Sequence, residues 1–421
     1  MHALVLGAGI IGLSTAHALV QQGYQVTVLD QHSEVAQGTS FANGAQLSYS
    51  YVAPLAGPGV LSKVPKWLLN PHSPLRFRPS PHLDDICWNL RFLKACNASR
   101  SRQTTAELLQ LAYLSRDIYH ALFTHEAFKD IDFSATGKLV IHRSEHSMQS
   151  AKQQLSVQQS LGGKPQQALT TEECIEKEPA LAPIANQFVG GIFTESEEAA
   201  DAFKISLALK NELQQAGVKF LFHTTVRALE RVAGSSSVQV RLHTQESLSA
   251  DKIVVCLGVE STALLAKLGI HVPVAPLKGY SLTLAIENDA MAPRINITDF
   301  ERKVVYARLG NRLRLAGMAD LVGINREIDP VRIRALIAEA QAVFSQAGDY
   351  TKAKQWAGLR PATPLGKPII DCTPFANLYL NIGHGALGLT LATGSAHLLL
   401  DLIEQRPNSL LSHFSLAAAK A

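Results

Sequence analysis

Three glycines near the start of the chain have the spacing of a phosphate-binding turn. They are Gly7, Gly9 and Gly12 in the segment GAGIIG. The first glycine permits a sharp turn, the second lets the backbone approach a pyrophosphate, and the third lets the following helix pack closely on the preceding strand. The start of such a helix directs its amides and the positive end of its dipole at phosphates. This pattern indicates phosphate binding.

The elements around the turn favour a binding site over an ordinary glycine-rich βαβ turn. An apolar strand over 3–6 precedes it, a helix over 10–22 follows, and Asp30 closes a second strand over 25–29. An acid at that position accepts hydrogen bonds from ribose hydroxyls, so the unit predicts dinucleotide binding. A secretory signal does not fit, because His2 alone separates the apolar run from Met1 and glycines interrupt it early.

A second strand–glycine turn–helix pattern lies in NLYLNIGHGALGLTLATGSA, over 377–396. A nicotinamide dinucleotide has no need of a second helix N-terminus so late in the chain. A flavin does, because its reduction places negative charge near N1 and the C2 carbonyl, which backbone amides and a helix dipole stabilise. The two turns therefore predict FAD. We expect it to be bound non-covalently, since no cysteine is near either turn in the sequence.

The composition is typical of a globular protein of two domains. Its 421 residues are 47% hydrophobic and 18% charged, and no basic cluster interleaves with aromatic residues, so nucleic-acid binding has no support. Five widely spaced cysteines predict neither a metal site nor a disulfide framework, and indicate a cytoplasmic protein. The apolar run 386–403 contains Asp401 and other polar residues, which favours a packed helix over a membrane span.

The order of predicted elements indicates an α/β protein whose chain leaves and re-enters its first domain. Strand–helix units occur at both ends, and antiparallel-looking strands lie between them. We predict a discontinuous, Rossmann-like FAD-binding domain over 1–82, 168–274 and 352–421. The remaining ranges, 83–167 and 275–351, would form an α+β substrate domain with an antiparallel sheet.

A series of motifs in a fixed order extends nearly from end to end. It comprises GAGIIG (7–12), TSFANGAQLS (39–48), TGKLVIHRSE (136–145), LKGYSLT (277–283), GMADLVG (317–323), GLRPATPLGKPII (358–370) and GHGALGLTLATGS (383–395). With these motifs the chain resembles the FAD-dependent D-amino acid dehydrogenases, within the wider group of glycine oxidase, sarcosine oxidase and D-amino acid oxidase.

The resemblance implies which residues bind FAD. Those near the ADP half are Gly7, Gly9, Ile10, Ile11, Gly12, Asp30, Gln31, Val226 and Gly258. Those along the flavin are Ser40, Ala42, Asn43, Gly44, Gln46 and Leu47, and those that close over the isoalloxazine are Gly385, Gly388, Leu389 and Thr390. The flavin-side loop departs from the family pattern, because it reads Asn-Gly-Ala-Gln where Asn-Ala-Gly-Gln is expected.

The resemblance also implies four catalytic residues. Arg360 would bind the substrate carboxylate, a role that suits a planar guanidinium with two parallel donors. Tyr280 and Tyr51 would lie over the substrate, and His384 would face it. Taken alone, Arg360 could form a structural salt bridge, the tyrosines could be packing residues and His384 could be a cap. Departures such as ESEEAADAFKI, over 195–205, concern the range of substrates rather than the chemistry.

The expected reaction is oxidative deamination of D-amino acids to 2-oxo acids and ammonia, with hydride transferred from the substrate Cα to flavin N5. It requires neither a protein nucleophile nor a metal. Electrons would pass to a quinone-type or artificial acceptor. An amino acid oxidase or a dehydrogenase of proline or hydroxyproline is the alternative on the same scaffold, and a non-catalytic flavoprotein is a more distant one.

The stretch LSKVPKWLLNPHSPLRFRP combines basic and apolar residues. These are Lys63, Lys66, Arg76 and Arg78 around Trp67, Leu68, Leu69 and Phe77. Such a combination is typical of an interfacial patch, so we expect peripheral contact with the inner face of the cell membrane. The alternative is that the apolar residues pack under the flavin domain and the bases form a solvated rim.

Overall fold

The computed structural model describes residues 1–60, 73, 75–78 and 80–420. Its strands are β1 (His2–Leu6), β2 (Gln25–Leu29), β3 (Gln46–Leu47), β4 (Leu75–Phe77), β5 (Lys138–His142), β6 (Gln166–Leu169), β7 (Gly190–Thr194), β8 (Glu198–Ala199), β9 (Lys219–Leu221), β10 (Val226–Arg231), β11 (Val238–Leu242), β12 (Ser247–Leu248), β13 (Lys252–Val255), β14 (Ala275–Ala285), β15 (Asn296–Asp299), β16 (Val304–Leu309), β17 (Arg312–Leu321), β18 (Lys354–Ala362), β19 (Ile369–Cys372) and β20 (Leu378–Ile382). Its α-helices are α1 (Ile10–Gln21), α2 (Leu83–Ala95), α3 (Ala98–Leu122), α4 (Glu145–Ser160), α5 (Thr171–Lys177), α6 (Ala202–Gln215), α7 (Ser261–Ala266), α8 (Pro330–Phe344), α9 (Gly388–Ile403) and α10 (Leu416–Lys420).

The first sheet has the strand order β19-β20-β13-β1-β2-β9. β1 pairs in parallel with β2 and β13, and β19 runs antiparallel to β20 at one edge. Ala3 and Val5 of β1 pack among α1, α3, α6 and α9, whereas Leu4 and Leu6 pack towards β10, β11 and α7. Because both faces are covered, β1 is continuously apolar. This arrangement confirms the predicted Rossmann-like α/β domain.

The second sheet has the order β18-β14-β17-β16-β15-β5-β7-β6, with β4 paired to β17. Most of its pairs are antiparallel, whereas β5 and β15 are parallel. Leu139, Leu282 and Leu315 lie on one face, in a core that includes Leu336 of α8. The opposite face is turned towards the first domain, where the Ser281 hydroxyl donates a hydrogen bond to a loop carbonyl. The antiparallel second sheet is as predicted.

Strand pairing and helix packing connect ranges that the predicted domain boundaries separate. β18, within the range 352–421, pairs with β14 of the second sheet. β7, within the range 168–274, pairs with β5 and β6 of that same sheet. Conversely α3, within the range 83–167, packs against α9 in the first domain. The partners are far apart along the chain, so local sequence patterns did not reveal them.

The segment Gly385–Ile403, which contains α9, is the described segment long and apolar enough to cross a membrane. However, 67% of that window is buried inside the protein. α9 packs against α1 and α3 in the core of the first domain. Its apolar composition is therefore accounted for by internal packing, as the polar residues in the sequence predicted.

Candidate active site

A cavity of about 730 Å³ lies between the first domain and the second sheet. Both glycine turns form parts of its wall, and so do all four predicted catalytic residues. The residues predicted to bind the cofactor also line it, with the exceptions of Gly12 and Leu47. Leu47 is instead fully buried in the core of the first domain. The fold thus brings segments from both ends of the chain to one site.

The first glycine turn has no room for side chains. Gly7 has a φ of 106°, and a Cβ atom there would lie 2.7 Å from the Cys256 carbonyl oxygen. A Cβ atom at Gly12 would lie 1.8 Å from the Gly7 carbonyl oxygen, so this glycine permits α1 to pack on the turn. α1 begins at Ile10 beside the cavity, which places a helix N-terminus where a pyrophosphate can bind.

Asp30 and Ser40 fix this turn from the cavity side. Asp30 Oδ2 accepts a hydrogen bond of 2.8 Å from the Ala8 amide, and Oδ1 contacts the amide and ring of His32. Ser40 Oγ accepts from the Ile10 amide at 3.1 Å. Since a carboxylate accepts about four hydrogen bonds, Asp30 retains capacity for a ribose hydroxyl.

The loop of residues 39–48 is clamped to the second sheet. The Ser281 hydroxyl donates to the Ala42 carbonyl at 2.6 Å, and Arg314 Nη1 donates to the Asn43 carbonyl at 2.9 Å. Gln46 Nε2 donates to one carbonyl group of β15 and one of β16. These bonds hold the predicted flavin-side loop between the two domains, so the cavity wall there is fixed by both of them.

The reversed order of Gly44 and Ala45 has a structural consequence. Ala45 has a φ of 58°, in the left-handed region that favours glycine. A Cβ atom at Gly44 would lie 3.2 Å from Val305 Cγ2, which is the end of a side chain on β16. The loop therefore has alanine at a position whose backbone conformation favours glycine. The neighbouring Gly44 lies where a side chain would come close to the second sheet.

The second glycine turn provides another helix N-terminus. Gly383 and Gly385 have φ values of 82° and 56°, and α9 begins at Gly388. Thr390 Oγ1 accepts a hydrogen bond of 3.1 Å from the Ser48 amide, which ties the start of α9 to the flavin-side loop. The amides and the helix dipole at this turn could stabilise negative charge in the cavity.

Arg360 reaches across the second sheet along the cavity wall. It is the seventh residue of β18, yet its guanidinium lies over Gly279 of β14 and Nη1 donates to the Met318 carbonyl on β17 at 3.0 Å. A Cβ atom at Gly279 would lie 2.4 Å from the guanidinium carbon. Burial lowers the pKa of Arg360, whereas the Asp320 carboxylate raises it. Within the described residues no acid forms an ion pair with Arg360.

His384 is 2% exposed and lies in the second turn. Its Nε2 is 3.0 Å from Ser395 Oγ, and that hydroxyl donates to the Ala392 carbonyl, so we assign the ring proton to Nε2. Burial lowers the pKa of His384 to about 3. The imidazole is therefore neutral, with Nδ1 as an acceptor.

The Tyr280 side chain packs in the apolar core of the second sheet. Its ring is fully buried in the core formed with α8, and its hydroxyl donates to Asp320 Oδ2 at 3.1 Å. Successive strand residues point to opposite faces, so Gly279 and Ser281 face the cavity while Tyr280 faces away. Tyr280 is a lining residue of the cavity, and its ring packs in this core; that it lies over the substrate stays a prediction.

Tyr51 lies in the cavity wall beside a cation that the sequence analysis did not single out. The Lys138 ammonium is 4.4 Å from the centre of the Tyr51 ring and donates to Ser48 Oγ at 3.0 Å. Lys138 is 3% exposed, and burial lowers its pKa to about 8, although Glu197 favours the charged form. The available signal was a lysine at the head of the otherwise apolar strand in TGKLVIHRSE.

Glu197 is a buried acid near Lys138 and Ser48. Its Oε1 accepts from the Ser50 amide at 2.7 Å, and Oε2 has no hydrogen-bond partner within the described ranges. Burial raises its pKa, whereas Lys138 and the bonds from Ser50 and Ser48 lower it. It lies in the segment 195–205, which the resemblance marked as unusual. Lys138 and Glu197 are thus connected through the Ser48 hydroxyl, to which the Lys138 ammonium donates.

The cavity fits FAD on two counts. The glycines of the first turn leave space that side chains would occupy. This space is next to the N-terminus of α1, where a pyrophosphate can bind. The second turn offers a further helix N-terminus at the other part of the same cavity, where a flavin ring would need it. Fold and site together define a flavoprotein whose cavity lies between the first domain and the second sheet.

Comparison with known proteins places this class in one family. The model of DAO, the FAD dependent oxidoreductases, matches residues 2–402, and the chain belongs to this family. It is 46% identical over 423 aligned residues to D-amino acid dehydrogenase 2 of Ralstonia nicotianae, covering 96% of this chain and 97% of that protein. It is 42% identical to D-amino acid dehydrogenase 2 of Pseudomonas aeruginosa, covering 96% and 95%. The protein is an FAD-dependent oxidoreductase.

The solved structures agree on the fold. Glycine oxidase from Geobacillus kaustophilus superposes with a TM-score of 0.76 at 19% identity, covering 99% of this chain and 97% of that chain. L-proline dehydrogenase from P. horikoshii gives a TM-score of 0.72 at 16% identity, covering 99% and 96%. At such identities the likeness concerns the fold and not the substrate.

Proposed function

We propose that this enzyme oxidises D-amino acids to 2-oxo acids and ammonia. The observation that carries the proposal is the guanidinium of Arg360, which lies in the cavity wall and, among the described residues, forms one hydrogen bond, to the Met318 carbonyl. A guanidinium has five N–H donors, so most remain for a ligand, and its fork matches a carboxylate. The names of the 46% and 42% identical relatives support D-amino acids as the substrates.

Arg360 would fix the substrate by its carboxylate and so orient the Cα–H bond. FAD held by the two glycine turns would supply the electron acceptor for the hydride from Cα. The protein contributes position and electrostatics, since a fixed carboxylate leaves the substrate little rotational freedom. The imino acid released after this oxidation reacts with water to give the 2-oxo acid and ammonia.

The substrate amine has to lose its proton before Cα can give up hydride. His384 would assist as a neutral acceptor, because Ser395 engages Nε2 and Nδ1 remains without a proton. Its low pKa prevents it from adding a positive charge that would compete with Arg360. Activity should therefore rise with pH as the bound amine deprotonates.

The test is anaerobic reduction of the purified holoenzyme by a panel of D- and L-amino acids, followed by flavin absorbance. D-amino acids should bleach the flavin and yield ammonia and 2-oxo acids in equal amounts. Bleaching by L-amino acids alone, or by proline without ammonia release, would assign the enzyme to the other reactions possible on this scaffold. A flavin that no amino acid reduces would contradict the proposal.

We also propose that electrons pass to a quinone at the membrane surface. The predicted patch is only partly described: Lys63, Lys66, Trp67, Leu68 and Leu69 lie outside the described residues. Within the described part, Arg78 is exposed and Phe77 is half-buried. Arg76 does not fit a lipid-binding role, because it pairs with Asp320 at 2.8 Å and with Asp329 at 2.9 Å.

The helix α2 offers an apolar face that supports membrane contact. Trp88 anchors the helix, since its indole donates to the Ala362 carbonyl at 2.9 Å. On the opposite side, Leu83, Ile86, Leu90 and Leu93 are exposed, by 77% and 60% for Leu83 and Leu90. Their spacing of three and four residues gathers them on one face of the helix. An apolar face near exposed Arg78 suits an anionic lipid surface as its partner.

A further inference from the structure

Lys138 is a buried cation in the cavity wall that the proposed reaction does not use. Leu139 and Ile141 of the same strand lie in the apolar core with α8, so alternation places Lys138 on the cavity face. An ammonium has three donors, and Nζ donates to Ser48 Oγ at 3.0 Å. Within the described residues no acid lies within ion-pair distance of it. The cavity wall thus contains a buried positive charge without a direct counter-ion.

Two hydrogen bonds connect the Lys138 ammonium to the first turn of α9. Nζ donates to Ser48 Oγ at 3.0 Å, and the Ser48 amide donates to Thr390 Oγ1 at 3.1 Å. The amide nitrogen and the hydroxyl oxygen of one serine are less than about 4 Å apart, so Nζ lies within about 10 Å of Thr390 Oγ1. Lys138, Ser48 and Thr390 all line the cavity. The cation and the helix N-terminus therefore act on the same part of it.

The acid nearest in charge to Lys138 lies outside the cavity wall. Glu197 favours the charged form of Lys138, is 1% exposed and does not line the cavity. Its Oε1 accepts a hydrogen bond of 2.7 Å from the Ser50 amide. The positive charge of Lys138 is therefore the nearer of the two charges to a ligand in the cavity.

Thr298 adds an unpaired hydroxyl beside Lys138. β15 pairs with β5 in a register that places Asn296 opposite Lys138 and Thr298 opposite Val140. Thr298 lines the cavity, and its hydroxyl has no hydrogen-bond partner in the part of the chain that the structure describes. Buried polar groups are normally hydrogen-bonded. An ammonium and an unpaired hydroxyl side by side therefore indicate a ligand with hydrogen-bond acceptors along this wall.

The pyrimidine part of a flavin ring has such acceptors, which are N1 and the C2 and C4 carbonyls. The loop of residues 39–48 and the start of α9 are the two segments expected to contact this ring, and Lys138 is bonded to the end of that loop. Hydride transfer from a substrate adds two electrons and one proton to the neutral oxidised ring. The ring thereby gains one negative charge, which a nearby cation stabilises.

We propose that Lys138 stabilises the negative charge that the flavin ring gains on reduction, and so raises the reduction potential of the bound FAD. It acts together with the N-terminus of α9. Ser48 orients the ammonium, and Glu197 outside the cavity wall moderates its effect. Unit charges about 10 Å apart at an effective dielectric constant of about 20 change an equilibrium constant about tenfold or more.

The competing explanation is that Lys138 only balances the buried Glu197. With a purely structural role, removal of the ammonium would change the stability of the protein and leave the reduction potential of its flavin unchanged. With a role at the flavin, removal of the positive charge lowers the potential, and a substitution that keeps the charge preserves most of it.

The experiment measures the two-electron reduction potential of the holoenzyme by anaerobic equilibration with a reference dye. Lys138→Met should lower the potential by about 30 mV or more, which corresponds to a tenfold weaker stabilisation of the reduced form. Lys138→Arg keeps the positive charge and should remain closer to the wild type than Lys138→Met. Lys219→Met, which removes an exposed lysine of β9, matches the change in net charge and should have the wild-type potential. Equal potentials in Lys138→Met and the wild type would overturn this inference.

Sulfite provides a second readout, because it binds reversibly to oxidised flavin, bleaches its absorbance and places a negative charge on the ring. Lys138→Met should bind sulfite about tenfold more weakly than the wild type and Lys219→Met do. An unchanged affinity would contradict a cation at the flavin. Neither measurement uses an amino acid, so both results are independent of the proposed function.

A further pair of variants covers the case in which Lys138→Met does not fold because Glu197 is left without its counter-charge. Lys138→Met combined with Glu197→Gln removes both charges and is compared with Glu197→Gln alone. The double variant should have the lower reduction potential, since the two proteins differ only in the ammonium. Equal potentials in these two variants would overturn the inference.

Discussion

The guanidinium of Arg360 occupies the space that a side chain at Gly279 would need, because a Cβ atom there would lie 2.4 Å from the guanidinium carbon. The two residues are on neighbouring strands, β18 and β14, whose register pairs Arg360 with Leu277 and Gly279 with Gly358. The Arg360 side chain therefore extends across β14 towards β17, and its guanidinium does not lie over β18. Gly279 determines where the proposed carboxylate site is.

Gly279→Ala should displace the guanidinium and raise the KM for amino acids at least tenfold, since its backbone is in an ordinary strand conformation and contact with Arg360 is the main cost. FAD content and circular dichroism should remain those of the wild type. Gly57→Ala is the matched control, because a Cβ atom there makes ordinary contacts at 3.8 Å or more. An unchanged KM in Gly279→Ala would show that the position of Arg360 is not critical.

Arg360→Ala should raise KM steeply without loss of FAD, since truncating one partner of a buried charged pair typically costs about 2–5 kcal/mol. Arg360→Lys should recover part of the loss, because a single ammonium cannot form two parallel bonds to a carboxylate. Steady-state kinetics with the FAD content measured in parallel tests both variants. A wild-type KM in Arg360→Ala would remove this residue from the site.

Acid denaturation should release one FAD per chain into the supernatant. Cys256, which is distant from both turns in the sequence, lines the cavity near the first turn. Burial raises the pKa of its thiol to about 12, so it remains protonated and unreactive. His384 is engaged with Ser395. Flavin that stays with the precipitated protein would contradict non-covalent binding.

His384 should make the folded state sensitive to acid. Burial lowers its native pKa from 6.5 to about 3, so between these values the unfolded chain binds a proton that the native protein does not. Stability is therefore lost as the pH falls through this window, by up to about 1.4 kcal/mol per pH unit. In urea unfolding, His384→Asn should reduce the loss between pH 7 and pH 5 by about 2 kcal/mol. An identical loss would exclude this contribution.

The sequence predicted local features well because their signals are local. The first turn, Asp30 and the strands over 138–142 and 378–382 are where they were expected, since glycine geometry and apolar runs depend on neighbouring residues. The sequence did not show which face of the sheet each side chain of β14 points to. β14 is buried on both sides, so no alternation in its sequence showed that Gly279 faces the cavity and Tyr280 faces α8.

The remaining site features depend on contacts between distant segments. Lys138 and Glu197 meet at Ser48 only when β5, the flavin-side loop and the segment before β8 are assembled. The same holds for β18, which joins the second sheet by pairing with β14, some way back along the chain. A lysine at the head of an apolar strand is a weak signal in the sequence, whereas its burial in a cavity wall is clear in the structure.

The exposed face of α2 should bind the protein to anionic membranes. In flotation with anionic vesicles, the wild type should rise with the lipid at low salt and less at high salt, since each base near an anionic surface contributes about 1 kcal/mol. Leu83→Ser with Leu90→Ser should abolish flotation without affecting stability, because both side chains are largely exposed. Val331→Ser, which removes an exposed apolar side chain from α8, is the matched control and should float like the wild type. A wild type that stays with the soluble fraction at low salt, or a double variant that floats equally well, would rule out α2 as the membrane contact.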